Sequence, residues 1–72
     1  MDIYTFKNLS YIDKMKHTPK DKYHKCKCEY SNRLNAYCYE LELCMRFYHQ
    51  DAEIKQYALK IYDEYVRLME LK

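Results

Sequence analysis

The chain contains no glycine, and its single proline is Pro19. Tight turns that need a positive φ therefore lack their usual residue, and strand hairpins built on such turns are disfavoured. Short joints between helices carry no such requirement. The same absence excludes glycine-rich phosphate loops and the dinucleotide-binding fingerprint. The expectation is an all-α fold. The 72 residues fit a single helical domain, residues 1–72, with a small core.

Hydrophobic spacing places the helices. Wound at the helical period, Tyr30, Leu34, Tyr37, Cys38, Leu41, Cys44, Met45 and Tyr48 share one arc of roughly 120°. Ala36, Tyr39, Leu43 and Phe47 lie on nearly the opposite side. Arg33, Glu40, Glu42 and Arg46 occupy the flanks between them. One stripe serves one neighbour, so two stripes call for two. The second neighbour comes from this chain, as for a middle helix in a small bundle, or from another copy; Tyr39, Leu43 and Phe47 are expected in an interface with a partner chain.

This stretch belongs to a long central helix. Thr18 suits an N-cap, Pro19 the first helical position and Asp21 the third, so the helix is expected to run from Pro19 to about His49. Asp21–Lys25, Lys25–Glu29, Glu29–Arg33 and Glu42–Arg46 sit at i,i+4, each pair worth about 0.2–0.5 kcal/mol. The alternative is a break near Ser31, which could cap a helix of its own.

Upstream, Ile3, Phe6, Leu9, Ile12 and Met15 recur every three residues, which reads as a first helix over 3–16. Ser10 with Asp13 forms a possible capping box, the alternative being a shorter helix starting at Tyr11. Downstream, Asp51 is a fair N-cap for a helix over 52–71. Its stripe of Ile54, Tyr57, Ala58, Ile61, Tyr65, Leu68 and Met69 is widened by Leu59, Tyr62 and Val66 to an arc of roughly 200°. That width again asks for two neighbours. The expected architecture is a small three-helix arrangement: a short N-terminal helix, a long central helix, and a C-terminal helix folded back as an antiparallel hairpin. Surplus apolar surface predicts a homodimer.

Four cysteines and three histidines raise the question of a metal. His24, Cys26, Cys28, Cys38 and Cys44 contain no pair of CxxC knuckles. In a helix Cys26 and Cys28 point roughly 200° apart, and Cys28 and Cys38 lie about 15 Å apart along the axis, beyond disulfide reach. A zinc site would need residues 22–30 to form a loop. Reduced thiols packing as small hydrophobes are the expectation, with no metal and no cofactor. His24 beside Cys26 would suit an activated thiol, but no third group or oxyanion donor can be assigned, so no enzyme activity is expected.

Charge is unevenly spread. Residues 14–33 hold seven Lys or Arg against Asp21 and Glu29, a net +5 in a chain of net +2. Lys20, Lys22, Lys25, Lys27 and Arg33 form the candidate basic surface, suited to an acidic protein patch or to loose contact with a phosphate backbone.

Ten tyrosines and no tryptophan favour half-buried boundaries and interfaces, because each ring brings a hydroxyl that needs a partner. The function these features imply is that of a small non-enzymatic protein-interaction module, an inhibitor or adaptor. Small inhibitors encoded by phages or mobile elements and aimed at a host enzyme share this size and composition. The competing expectation is a nucleic-acid-binding helical dimer using residues 14–33. No apolar run approaches the roughly 20 residues that span a bilayer, and Met1-Asp2-Ile3-Tyr4 is unlike a signal peptide. No membrane contact and a cytoplasmic location are therefore expected.

Overall fold

A computed structural model describes residues 1–20, 22–25, 28–48 and 50–71. The described residues form four helices and no strand: α1 (Ile3–Phe6), α2 (Tyr11–His17), α3 (Glu29–Phe47) and α4 (Ala52–Glu70). Asp21, Cys26, Lys27 and His49, which figured in the expected central helix, its joint, the candidate metal ligands and the basic surface, lie outside the described residues.

The expected first helix is two. Asp2 caps α1 by accepting from the Thr5 amide at 2.9 Å, and the Asn8 side chain donates to the Tyr4 carbonyl at 2.9 Å. The Ser10 hydroxyl oxygen then accepts from the Asp13 amide at 3.3 Å and starts α2. Side chains that bond the local backbone in this way compete with a continuous helix. The three-residue spacing also drifts around a helix axis. It delivers Ile3 and Phe6 to the core but leaves Ile12 exposed.

The central helix starts at Glu29, not at Pro19. Thr18 works in the opposite direction from the expected cap: its amide and its hydroxyl both donate to the Lys14 carbonyl, at 3.1 and 2.7 Å, and close α2. Pro19 follows where a helix has just stopped. The connection to α3 is then held by buried polar residues of α3. Asn35 accepts from the His24 amide at 2.8 Å and donates to the His24 carbonyl at 3.2 Å. Ser31 donates to the same carbonyl at 3.3 Å. Buried amide and hydroxyl groups cost free energy unless paired, and the loop backbone pairs these. The exposed i,i+4 ion pairs expected to extend the helix are too weak to compete.

α3 and α4 form the antiparallel hairpin. Tyr57 of α4 donates to Glu40, and Tyr30 donates to the Met69 sulfur at 3.8 Å, so rising α4 numbers meet falling α3 numbers. The turn is set by Asp51, whose carboxylate accepts from the Glu53 amide at 2.8 Å. α1 lies across the hairpin. Ile3 and Phe6 join Leu43, Cys44 and Ile54 in the core, with Leu9, Tyr39, Phe47, Tyr57 and Ala58 packed around them. Phe6 meets Tyr39 edge-on at 5.2 Å, and Tyr4 meets Phe47 likewise at 5.8 Å. The Tyr4 hydroxyl donates to Asp51 at 2.8 Å and ties α1 to the hairpin turn.

Candidate functional site

The hairpin leaves one apolar groove open between α3 and α4. Leu41, Met45 and Tyr48 line it from α3, and Lys55, Ala58, Leu59 and Tyr62 from α4, around a volume of about 320 Å³. Met45 is 68% exposed, and Leu59 and Tyr62 are each 54% exposed. The groove exists because α4 carries more apolar surface than its neighbours cover. Ile54 and Ile61 point into the core, whereas Leu59 and Tyr62 lie round the helix from them and stay more than half exposed beside the α3 wall. The roughly 200° apolar arc of α4 was the sequence signal for this face.

The interface expected at Tyr39, Leu43 and Phe47 is occupied from within the chain. Leu43 is 1% exposed and sits between α1 and α4, while Tyr39 and Phe47 are half-buried against Phe6 and Tyr4. α1 supplies the second neighbour that the second stripe of α3 required. A stripe on one helix cannot distinguish a partner chain from the first few residues of its own.

Among the described residues, four cations of the basic segment pair with carboxylates. Lys14 pairs with Glu40 at 2.8 Å, Lys22 with Glu42 at 3.1 Å, Arg33 with Glu29 at 3.1 Å and Lys16 with Asp13 at 3.8 Å. Arg33 also stacks over Tyr11 at 5.5 Å. Lys20 and Lys25 are exposed on the connection between α2 and α3, and Lys27 lies outside the described residues. Glu42 is held below the usual carboxylate range, first by the Tyr23 hydroxyl and then by Lys22.

Lys14 and Glu40 form a feature that helical spacing, which put Glu40 on a flank of the central helix, did not show. Glu40 is 1% exposed. It accepts from the Lys14 ammonium and from the Tyr57 hydroxyl, joining α2, α3 and α4 at one carboxylate. Burial, then the bond to Glu40, raises the Tyr57 hydroxyl far above its ordinary range. A buried charge requires such partners, and these bonds tie α2, α3 and α4 together.

Among the described residues, His24 approaches Cys38 while Cys28 and Cys44 lie elsewhere. The His24 ring nitrogen Nε2 lies 3.8 Å from Cys38 Sγ, and Tyr65 packs at 6.4 Å from the His24 ring. Cys28 stands at the N-cap of α3, about 15 Å along the helix from Cys38. Cys44 belongs to the core. Among the described residues no group of three or more His, Cys, Asp or Glu is placed to hold a metal ion. Burial raises the Cys38 thiol above its ordinary value, and burial followed by the Glu40 charge pushes Cys44 up to about 11. Both thiols are protonated at neutral pH, the inert form for nucleophilic chemistry.

No helix of the described residues is long and apolar enough to cross a membrane. No protein-family model matches the chain, and no curated protein or solved structure is significantly similar to it.

Proposed function

We propose that this chain is a small non-enzymatic protein-interaction module of the inhibitor or adaptor kind, and that the groove between α3 and α4 is its working face. The observation that carries this reading is the groove itself. Met45, Tyr48, Leu59 and Tyr62 are large, exposed and contiguous around one concavity, and clustered apolar exposure of this kind marks interaction surfaces more often than isolated apolar side chains do. The groove suits the apolar face of a helix, one of the recurring modes of peptide recognition.

The chain, tagged and purified from the cells that make it, tests this reading beside the Leu59→Asp and Tyr62→Asp variants. The substitutions lie on the surface, so the helical circular dichroism signal stays unchanged. A partner that accompanies the wild type and is lost from both variants is the expected result. Identical partners for all three proteins would remove the groove from the function. The nucleic-acid reading has less support, because four cations of its segment are matched within the chain. Wild-type binding to DNA or RNA that weakens steeply with added salt would restore it.

A further inference from the structure

The open face of α4 has the pattern of a helix that packs against its own copy. Ala52, Lys55, Leu59, Tyr62, Val66 and Met69 follow one another at alternating steps of three and four residues, the spacing of a coiled-coil seam. The monomer core uses a different face, through Ile54, Tyr57, Ala58 and Ile61. Lys55 is the single charged residue in the seam, and a lone Lys at such a position fixes register and orientation at some cost in stability. Asp63 and Glu70 lie along the seam's outer edge. Among the described residues, Lys55, Asp63 and Glu70 enter no ion pair.

We propose that the groove is closed by α4 of a second copy of this chain, packed antiparallel to the first. The assignment rests on the groove being a docking face and names its occupant. With the two-fold axis between Leu59 and Tyr62, Leu59 faces the partner subunit's Tyr62, and Ala52 faces the partner subunit's Met69. Lys55 then faces the partner's Val66. The partner's Asp63 lies three residues to one side of that position and the partner's Glu70 four residues to the other, both near the Lys55 ammonium. Two-fold symmetry forms every such contact twice. A parallel arrangement would set Lys55 against the partner's Lys55, so charge selects the antiparallel one. Leu41, Met45 and Tyr48 form the wall of α3 against which the incoming helix rests, giving a four-helix core made of two hairpins.

Sedimentation equilibrium of the full chain over rising concentration tests this. The expected species is a dimer of twice the 9.0 kDa monomer. Lys55→Glu weakens it by about tenfold, because the new carboxylate meets the partner's Asp63 and Glu70 at both symmetric contacts. The pair Asp63→Lys and Glu70→Lys weakens it similarly, and all three substitutions together restore it. Leu59→Asp abolishes the dimer without loss of helicity. A wild type that stays monomeric at high micromolar concentration overturns the proposal. So does a dimer indifferent to Leu59→Asp and Lys55→Glu, since that dimer uses another face. The fluorescent apolar dye anilinonaphthalenesulfonate separates this failure from failure of the docking face. A wild-type monomer that binds the dye through Leu59 overturns the second copy and leaves the groove as a site for another protein. A wild-type monomer that binds no dye overturns both.

Discussion

α3 and α4 each carry more apolar surface than their mutual contact consumes, yet the two surpluses meet opposite fates. Tyr39, Leu43 and Phe47 of α3 are covered by α1, a single helical turn at the start of the chain. Leu59 and Tyr62 of α4 remain open beside Met45 and Tyr48. In sequence the two faces look alike. What separates them is reach: α1 is anchored at both the hairpin turn, through Tyr4 and Asp51, and the core, through Ile3 and Phe6. It lies over one side of the hairpin and has no length left for the other. An apolar stripe therefore reports that something will cover it and leaves the identity of the cover to the tertiary structure.

The largest test of this contrast is Phe6→Ala. Phe6 is the bulk that α1 brings to the core, and its removal costs about 3–5 kcal/mol. A domain of this length has a total stability of about 4–10 kcal/mol, so urea unfolding should show the variant largely or wholly unfolded. Leu59→Asp on the open face should leave the monomer's stability within about 0.5 kcal/mol of wild type. Equal losses in the two variants would mean that the two faces are not differently covered.

A smaller effect is expected at Lys14. Lys14→Met leaves the Glu40 carboxylate buried with no cation beside it and the Tyr57 hydroxyl as its remaining hydrogen-bond donor. Breaking a buried pair from one side costs about 3–5 kcal/mol, and the partial exposure of Lys14 places this case at about 2–3 kcal/mol. The urea midpoint should fall, and the amides of α2 should lose protection from hydrogen exchange before those of α4. Unchanged α2 protection would show that the Lys14–Glu40 pair does not hold that helix in place.

Acid should act least and chiefly on the covered side. The Tyr4 hydroxyl, more than any other group, lowers the pKa of Asp51 below its ordinary 3.8, and the Thr5 amide does the same for Asp2. Each carboxylate is thus more acidic folded than unfolded. Its contribution is complete above the ordinary value and is lost as the pH falls through the lowered folded value. Urea midpoints should hold steady from neutrality to about pH 4 and decline below it. Tyr4→Phe should reduce that decline, and an unaltered acid profile in Tyr4→Phe would detach α1 from the effect.

The sequence by itself determined the all-α class, the hairpin of α3 and α4, and the helix start at Ala52, and it offered the start at Tyr11 as the alternative to one helix over 3–16. These rest on contacts within a few residues: no glycine for strand turns, apolar repeats near the helical period, Ser10 with Asp13, and Asp51 with Glu53. Only the tertiary structure decided where α3 begins, because Ser31 and Asn35 take their partners from His24, seven and eleven residues away. It also decided that Lys14 and Glu40 are a buried pair, and that the Leu59 side of α4 stays open while the Tyr39 side of α3 is covered. Helical spacing fixes which residues share a side. What comes to lie against that side depends on distant segments and on the free energy of pairing buried polar groups, which no local pattern records.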